Sequence, residues 1–163
     1  MKKIFFLFLF ISTFSYGQQM TFEKLGTIIN NEADSVEFGG NSWKFKYKGL
    51  LLICIADKKA NRMRIISPIA ERKQLTKDLI LNSLVANFHT ALDVKYALSD
   101  EILWSVFAHP LKELSEHQVV DAISQVYYAN KTYGTIFSST NLNFPGNTKK
   151  KEFKKTIPIQ EKI

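Results

Sequence analysis

The strongest hydrophobic pattern in the chain lies between Leu75 and Leu98 and has the spacing of a helix. Side chains three and four positions apart share one helix face, because successive residues are rotated by about 100°. Large apolar side chains follow this spacing at Leu81, Leu84, Val85, Phe88 and Leu92. With Thr76 as the N-cap and Asp93 at the end, the pattern predicts an amphipathic helix. We expect its apolar stripe to cover a β-sheet.

Three strand patterns precede this helix. Trp43–Lys48 alternates aromatic residues with lysines, which predicts a half-buried strand with rings on one face and ammonium groups on the other. Leu50–Ile55 is apolar at every position, as expected of a central strand covered on both faces. Arg62–Ser67 predicts a third strand, which Pro68 should end because proline has no N–H to donate. Together they predict an antiparallel meander.

Further elements lie on both sides of these patterns. Val94–Leu98 and Ile102–Ala108 predict a β-hairpin, and Thr21–Asn31 predicts a short N-terminal helix with Thr21 as its cap. Ser115 begins a second long helix, because a glutamine three residues later completes a capping box. Thr135–Phe144 is compatible with an edge strand or with coil.

The predicted element order is therefore α-β-β-β-α-β-β-α. Antiparallel strands with helices inserted between them indicate an α+β fold. We expect a single twisted, mainly antiparallel five-stranded sheet with helices packed mainly on one face. The length suits one domain, which we place at residues 18–144. Between the N-terminal helix and the first predicted strand, only a turn at Gly39–Asn41 is assigned.

The first 17 residues have the features of a secretory signal peptide. Lys2 and Lys3 precede the apolar run Ile4–Phe14, and small residues follow at Ser15 and Gly17. The apolar run is shorter than the ~20 residues that a membrane-spanning helix needs. The pattern predicts export, so that the mature protein is periplasmic or secreted.

The positive charge of the chain is concentrated at its C-terminal end. The net charge is +7, but Lys149–Ile163 alone has six lysines against two glutamates. We expect residues 145–163 to form a basic, disordered tail. Lys149, Lys150 and Lys151 are candidates for weak contact with an anionic envelope surface. The domain itself is close to neutral, and export argues against nucleic acid as a partner.

Few residues suggest catalytic chemistry. His89 and Asp93 are four residues apart on the predicted helix, so the carboxylate could orient the imidazole. No spacing typical of a metal site, a nucleophile elbow or a phosphate-binding loop accompanies them. Cys54 is the only cysteine and lies in an apolar run, so we expect it to be buried and inert. The sequence therefore predicts no cofactor and no enzymatic activity.

Arg62 and Arg64 form a second candidate site. Two residues apart on a strand, their side chains share one face. A pair of guanidinium groups could bind an anionic partner. Alternatively, the pair is a solvated strand face or forms ion pairs with Asp57 or Glu71.

Several segments resemble one family. Asn61–Ile69, Ala86–Asp93, Leu103–Trp104 and His109–Leu111 are similar to sequences of bacterial YbjN-like proteins, which belong to the type III secretion chaperone-like fold class. The resemblance covers most of residues 20–138. It implies a small, often dimeric, protein-binding module, and the family offers no agreed catalytic residues to transfer.

Three functional hypotheses follow. The first is an exported, non-enzymatic, chaperone-like module that binds an unknown protein partner, as a monomer or a homodimer, through a sheet edge or a helix face. The second is an envelope-surface protein that acts through its lysine-rich tail. The third is a small enzyme or metal protein that uses His89 and Asp93.

Overall fold

The computed structural model describes residues 19–140, which form three α-helices and one six-stranded sheet. The predicted signal peptide, the tail at 145–163 and the C-terminal boundary of the domain lie outside this range. The elements, in chain order, are α1 Phe22–Glu32, β1 Ser35–Gly39, β2 Ser42–Tyr47, β3 Leu50–Asp57, β4 Arg62–Glu71, α2 Lys77–His89, β5 Lys95–Ser99, β6 Ile102–His109 and α3 Glu116–Lys131. A short 3₁₀ turn, Arg72–Gln74, precedes α2.

The sheet has the order β1-β2-β3-β4-β6-β5, with every neighbouring pair antiparallel. The predicted meander and hairpin are therefore confirmed, but the predicted number of five strands is wrong. The additional strand is β1, which pairs with β2 from Ser35↔Lys46 to Gly39↔Ser42. Its side chains are mostly exposed, so its apolar alternation is weak. Backbone pairing with β2, rather than local pattern, makes it a strand.

Pro68 does not end β4, contrary to the prediction from its missing N–H. The strand continues to Glu71 beside β6, with a shift of register between Pro68 and Ala70. A β-bulge at this point tolerates a residue that cannot donate to the ladder.

The core lies between one face of the sheet and the helices α1 and α3. In β2, Trp43, Phe45 and Tyr47 are buried while Lys44 and Lys46 are exposed, as the alternating pattern predicts. The buried side chains of the other central strands and of α3 complete the core: Leu52, Cys54, Ala56, Met63, Ile65, Leu103, Phe107, Val119, Ile123 and Val126. Helix α1 approaches the sheet closely at Gly26, where a Cβ would lie 3.2 Å from the Trp43 indole.

The three predicted N-caps are all present. The hydroxyl of Thr21 accepts the N–H of Lys24 at 3.1 Å, and the hydroxyl of Thr76 accepts that of Leu79 at 3.2 Å. Ser115 begins α3 with the complete capping box, whose two hydrogen bonds are 3.2 and 2.8 Å long. Each cap satisfies backbone donors that have no partner within the helix.

Candidate functional site

Helix α2 has the opposite orientation to the one that its apolar stripe predicts. Leu81 and Leu84 are each 59% exposed, and Phe88 is 86% exposed. The side that packs against the protein carries mostly small or polar side chains: Leu79, Ser83, Ala86, Asn87 and Thr90. Our expectation that the stripe covers the sheet is therefore wrong. Helical spacing shows which residues share a face, but not whether that face points inward.

Polar interactions hold α2 at the outer edge of β5. The Asn87 side chain donates to the Tyr96 carbonyl at 3.2 Å and accepts the Tyr96 N–H at 2.7 Å. These two bonds satisfy backbone groups that an edge strand would otherwise leave unpaired. The Thr90 hydroxyl donates to the Phe137 carbonyl, which ties the end of α2 to the segment after α3. The helix is thus anchored by its polar side, which leaves its apolar side outward.

The outward side of α2 forms a continuous apolar surface, which we call the α2 face. It consists of Ile80, Leu81, Leu84, Val85 and Phe88, with Leu92 just beyond the helix end. All six side chains are exposed. Contiguous exposed apolar surface of this kind is unusual on a monomer and is typical of protein contact sites.

A second uncovered surface lies on the sheet face opposite α1 and α3, which we call the open sheet face. Strand β3 contributes Leu51, Ile53 and Ile55, of which Leu51 is 42% and Ile55 37% exposed. Strand alternation places Ile66 of β4 and Val106 of β6 beside them, both half-buried. Among the described residues, no side chain of β3 on this face is buried. The prediction that β3 is covered on both faces is therefore wrong.

Arg62 and Arg64 both lie on the open sheet face and are exposed. The carboxylates proposed as their partners have other contacts. Asp57 accepts the N–H groups of Lys59 and Ala60 at 2.8 and 2.9 Å, and Glu71 pairs with Lys73. Within residues 19–140, no salt bridge includes either arginine.

His89 and Asp93 do not share a helix face, because α2 ends at His89. Leu92 has a φ of 46°, outside helical geometry, so Asp93 lies beyond a turn. The His89 ring packs edge-on against Phe88, with centroids 4.8 Å apart. Asp93 instead accepts a hydrogen bond from the Gln125 amide at 3.3 Å. Asp93 therefore does not lie one helical turn after His89, as the i, i+4 spacing predicted.

Asp93 lines an open pocket of about 400 Å³ that also includes His109 and Asp121. The Gln125 amide bridges the two carboxylates, at 3.3 Å to Asp93 and 2.7 Å to Asp121. The His109 ring stacks on Phe107. In the described part of the chain, no cluster of three or more potential ligands could hold a metal ion. Sequence reasoning missed this grouping because its members lie on elements far apart in sequence.

Two smaller points concern other predicted residues. Cys54 is buried as expected, and burial raises the pKa of its thiol well above the ordinary value, which keeps it unreactive. Lys149, Lys150 and Lys151 lie outside the described residues. Between residues 19 and 140, no helix has both the length and the apolar character needed to cross a bilayer.

Three helices and a six-stranded open antiparallel sheet define an α+β fold. A chain of the solved structure described as the HopA1-SchA chaperone-effector complex has a similar fold, with a TM-score of 0.55. The two share 13% sequence identity over 69% of this chain and 92% of that chain. Identity this low supports common fold alone. No family model matches the chain, and no curated protein matches it.

Proposed function

We propose that this protein is an exported, non-enzymatic, chaperone-like module that binds another protein through the α2 face. The observation that carries the proposal is the outward orientation of the apolar side of α2, with Phe88 86% exposed. A protein partner would remove this surface from water, and each fully buried large apolar side chain contributes about 1.5–3 kcal/mol. The fold is also similar to that of a chain from a chaperone–effector complex, which is a further reason to propose binding to another protein. We also propose, from the resemblance of its sequence segments, that the chain is related to the YbjN-like proteins.

A second copy of the chain is the first partner to consider. From Leu79 to Phe88, α2 carries no charged side chain, so two α2 faces could meet without burying a charge. Two copies related by a two-fold axis present the same patch to each other, and an apolar helix face is complementary to itself in this arrangement. The proposal therefore includes a homodimer in which the two α2 faces are in contact.

Site-specific photo-crosslinking tests the proposal. Phe88 is replaced by benzoyl-phenylalanine in the full chain, expressed in an exporting bacterial host and irradiated in intact cells. We expect a crosslinked product, and its mass distinguishes a second copy from another protein. Lys131, exposed on α3, is the matched control position and should give none. Equal crosslinking at both positions, or none at position 88, would contradict the proposal.

A further inference from the structure

The open sheet face combines an apolar centre with a cationic border. One cross-strand row reads Lys44, Ile53, Ile66, Val106 and Lys95 over β2, β3, β4, β6 and β5. With strands about 4.8 Å apart, the two lysines lie roughly 19 Å from each other and the three apolar residues lie between them.

The neighbouring rows contain further apolar residues and further cations. Lys46 pairs with Leu51, and Ile55 pairs with Arg64. Half-buried Trp104 adds an aromatic surface beside Pro68. The apolar centre thus extends over more than one row and has cations beside it.

Few carboxylates balance these cations. Glu37 lies beside Lys44 in the strand register, but the two form no salt bridge within the described residues. Asp57 is opposite Arg62, yet its carboxylate caps the turn after β3. The open sheet face therefore carries more cations than carboxylates.

We propose that the open sheet face binds an acidic, amphipathic segment of a partner protein. Apolar side chains of the segment would pack on Ile53, Ile66 and Val106, and its carboxylates would lie on the cationic border. Such a segment needs about six or seven extended residues to cross the roughly 19 Å row. The inference rests on the proposed protein-binding function, but it uses a different surface from the α2 face.

Charge favours this occupant over others. The chain's own C-terminal end, Lys149–Ile163, has six lysines against two glutamates, so the cationic border would repel it. Two open sheet faces would also repel each other. A nucleic acid would place phosphates over an apolar centre that cannot solvate them. An acidic amphipathic polypeptide supplies both kinds of complementary group.

Binding of defined synthetic peptides to the full chain tests this inference. The probe is a fluorescein-labelled seven-residue peptide, Glu-Ser-Leu-Ser-Leu-Ser-Glu, whose two terminal glutamates and two leucines share one face of an extended chain. Peptides in which lysine replaces glutamate, or serine replaces leucine, are the comparison ligands. We expect saturable binding of the glutamate–leucine peptide, measured by anisotropy, that weakens as salt rises, and at least about tenfold weaker binding of the other two.

Variants locate the binding site. The pair Lys44→Glu and Arg64→Glu should weaken binding of the glutamate–leucine peptide at least about tenfold. The pair Lys44→Ser and Arg64→Ser should give an intermediate loss, and circular dichroism verifies that both remain folded. Lys112→Glu is the charge control, because its backbone carbonyl accepts the Met20 N–H on the helix-covered side.

Three outcomes would overturn the inference: no binding of the glutamate–leucine peptide, equal binding of the lysine–leucine peptide, or tighter binding of vesicles containing phosphatidylserine. A Phe88→Ser variant separates the two proposals. It should retain peptide binding even where contact through the α2 face is lost. Loss of peptide binding in this variant would also contradict a separate site on the sheet.

Discussion

Replacing Phe88 with serine should abolish contact through the α2 face and leave the folded protomer intact. Phe88 is 86% exposed, so folding buries little of its ring. Phenylalanine and serine have similar helix propensities, so α2 itself should not weaken. We therefore expect the free energy of unfolding of the monomer to change by at most ~0.5 kcal/mol. A buried phenylalanine would instead cost about 3–5 kcal/mol when truncated.

The effect on association should be much larger. Burying a phenylalanine side chain contributes about 1.5–3 kcal/mol, and a two-fold dimer buries one from each copy. The variant should then lose about 3–6 kcal/mol of association free energy. At 1.4 kcal/mol per tenfold change, the dimer Kd should rise roughly 10²- to 10⁴-fold.

Sedimentation equilibrium over a concentration series measures the Kd, and urea unfolding of the dilute monomer measures stability. Leu51→Ser is the control, because it removes an exposed leucine from the open sheet face instead. An unchanged Kd in Phe88→Ser would refute the role of the α2 face. A loss of several kcal/mol in monomer stability would show that the ring is buried in the protomer. Equal effects of both variants would indicate that the two surfaces are not distinct.

Three further predictions concern stability and processing. Burial raises the pKa of Tyr96 to about 12, so the folded state holds the phenolic proton more tightly than the unfolded state. Stability should be full below pH ~10 and fall as pH rises toward ~12, and Tyr96→Phe should show a shallower fall in urea titrations. Ser115→Ala should lower the free energy of unfolding by about 1 kcal/mol, because α3 loses its cap. Cleavage before Gln18 should remove residues 1–17 during export, which intact-mass spectrometry of the exported protein measures.

Each of these predictions has its own control. Ser115→Asp keeps an acceptor for the N-terminal N–H groups of α3 and should retain most of the stability that alanine loses. Tyr96→Phe also removes the hydrogen bond to the Ala129 carbonyl, so only the difference in pH dependence tests the pKa argument. An identical fall with pH in wild type and variant would contradict it. A full-length mass after export would contradict the signal peptide.

Much of the fold follows from residues that are close together in the chain. The caps at Thr21, Thr76 and Ser115 depend on a side chain and a backbone N–H three residues away. The alternation in β2 depends only on the two-residue period of a strand, which places rings on one face and ammonium groups on the other. Burial of Cys54 follows from the apolar run that contains it. Such features are set by local geometry, and sequence reasoning predicts them.

The candidate surfaces depend on contacts between distant residues. The pairing of Asn87 with Tyr96 anchors the polar side of α2, and this pairing decides that the apolar stripe faces outward. Likewise, β1 is a strand because it pairs with β2. Asp93 accepts a hydrogen bond from Gln125 of α3, which lies 32 residues further along the chain. Periodicity determines which side chains share a face, whereas the direction of that face depends on what the rest of the chain packs against it. The sequence alone therefore determined the elements, and only the tertiary structure decided which of their apolar faces remain in water.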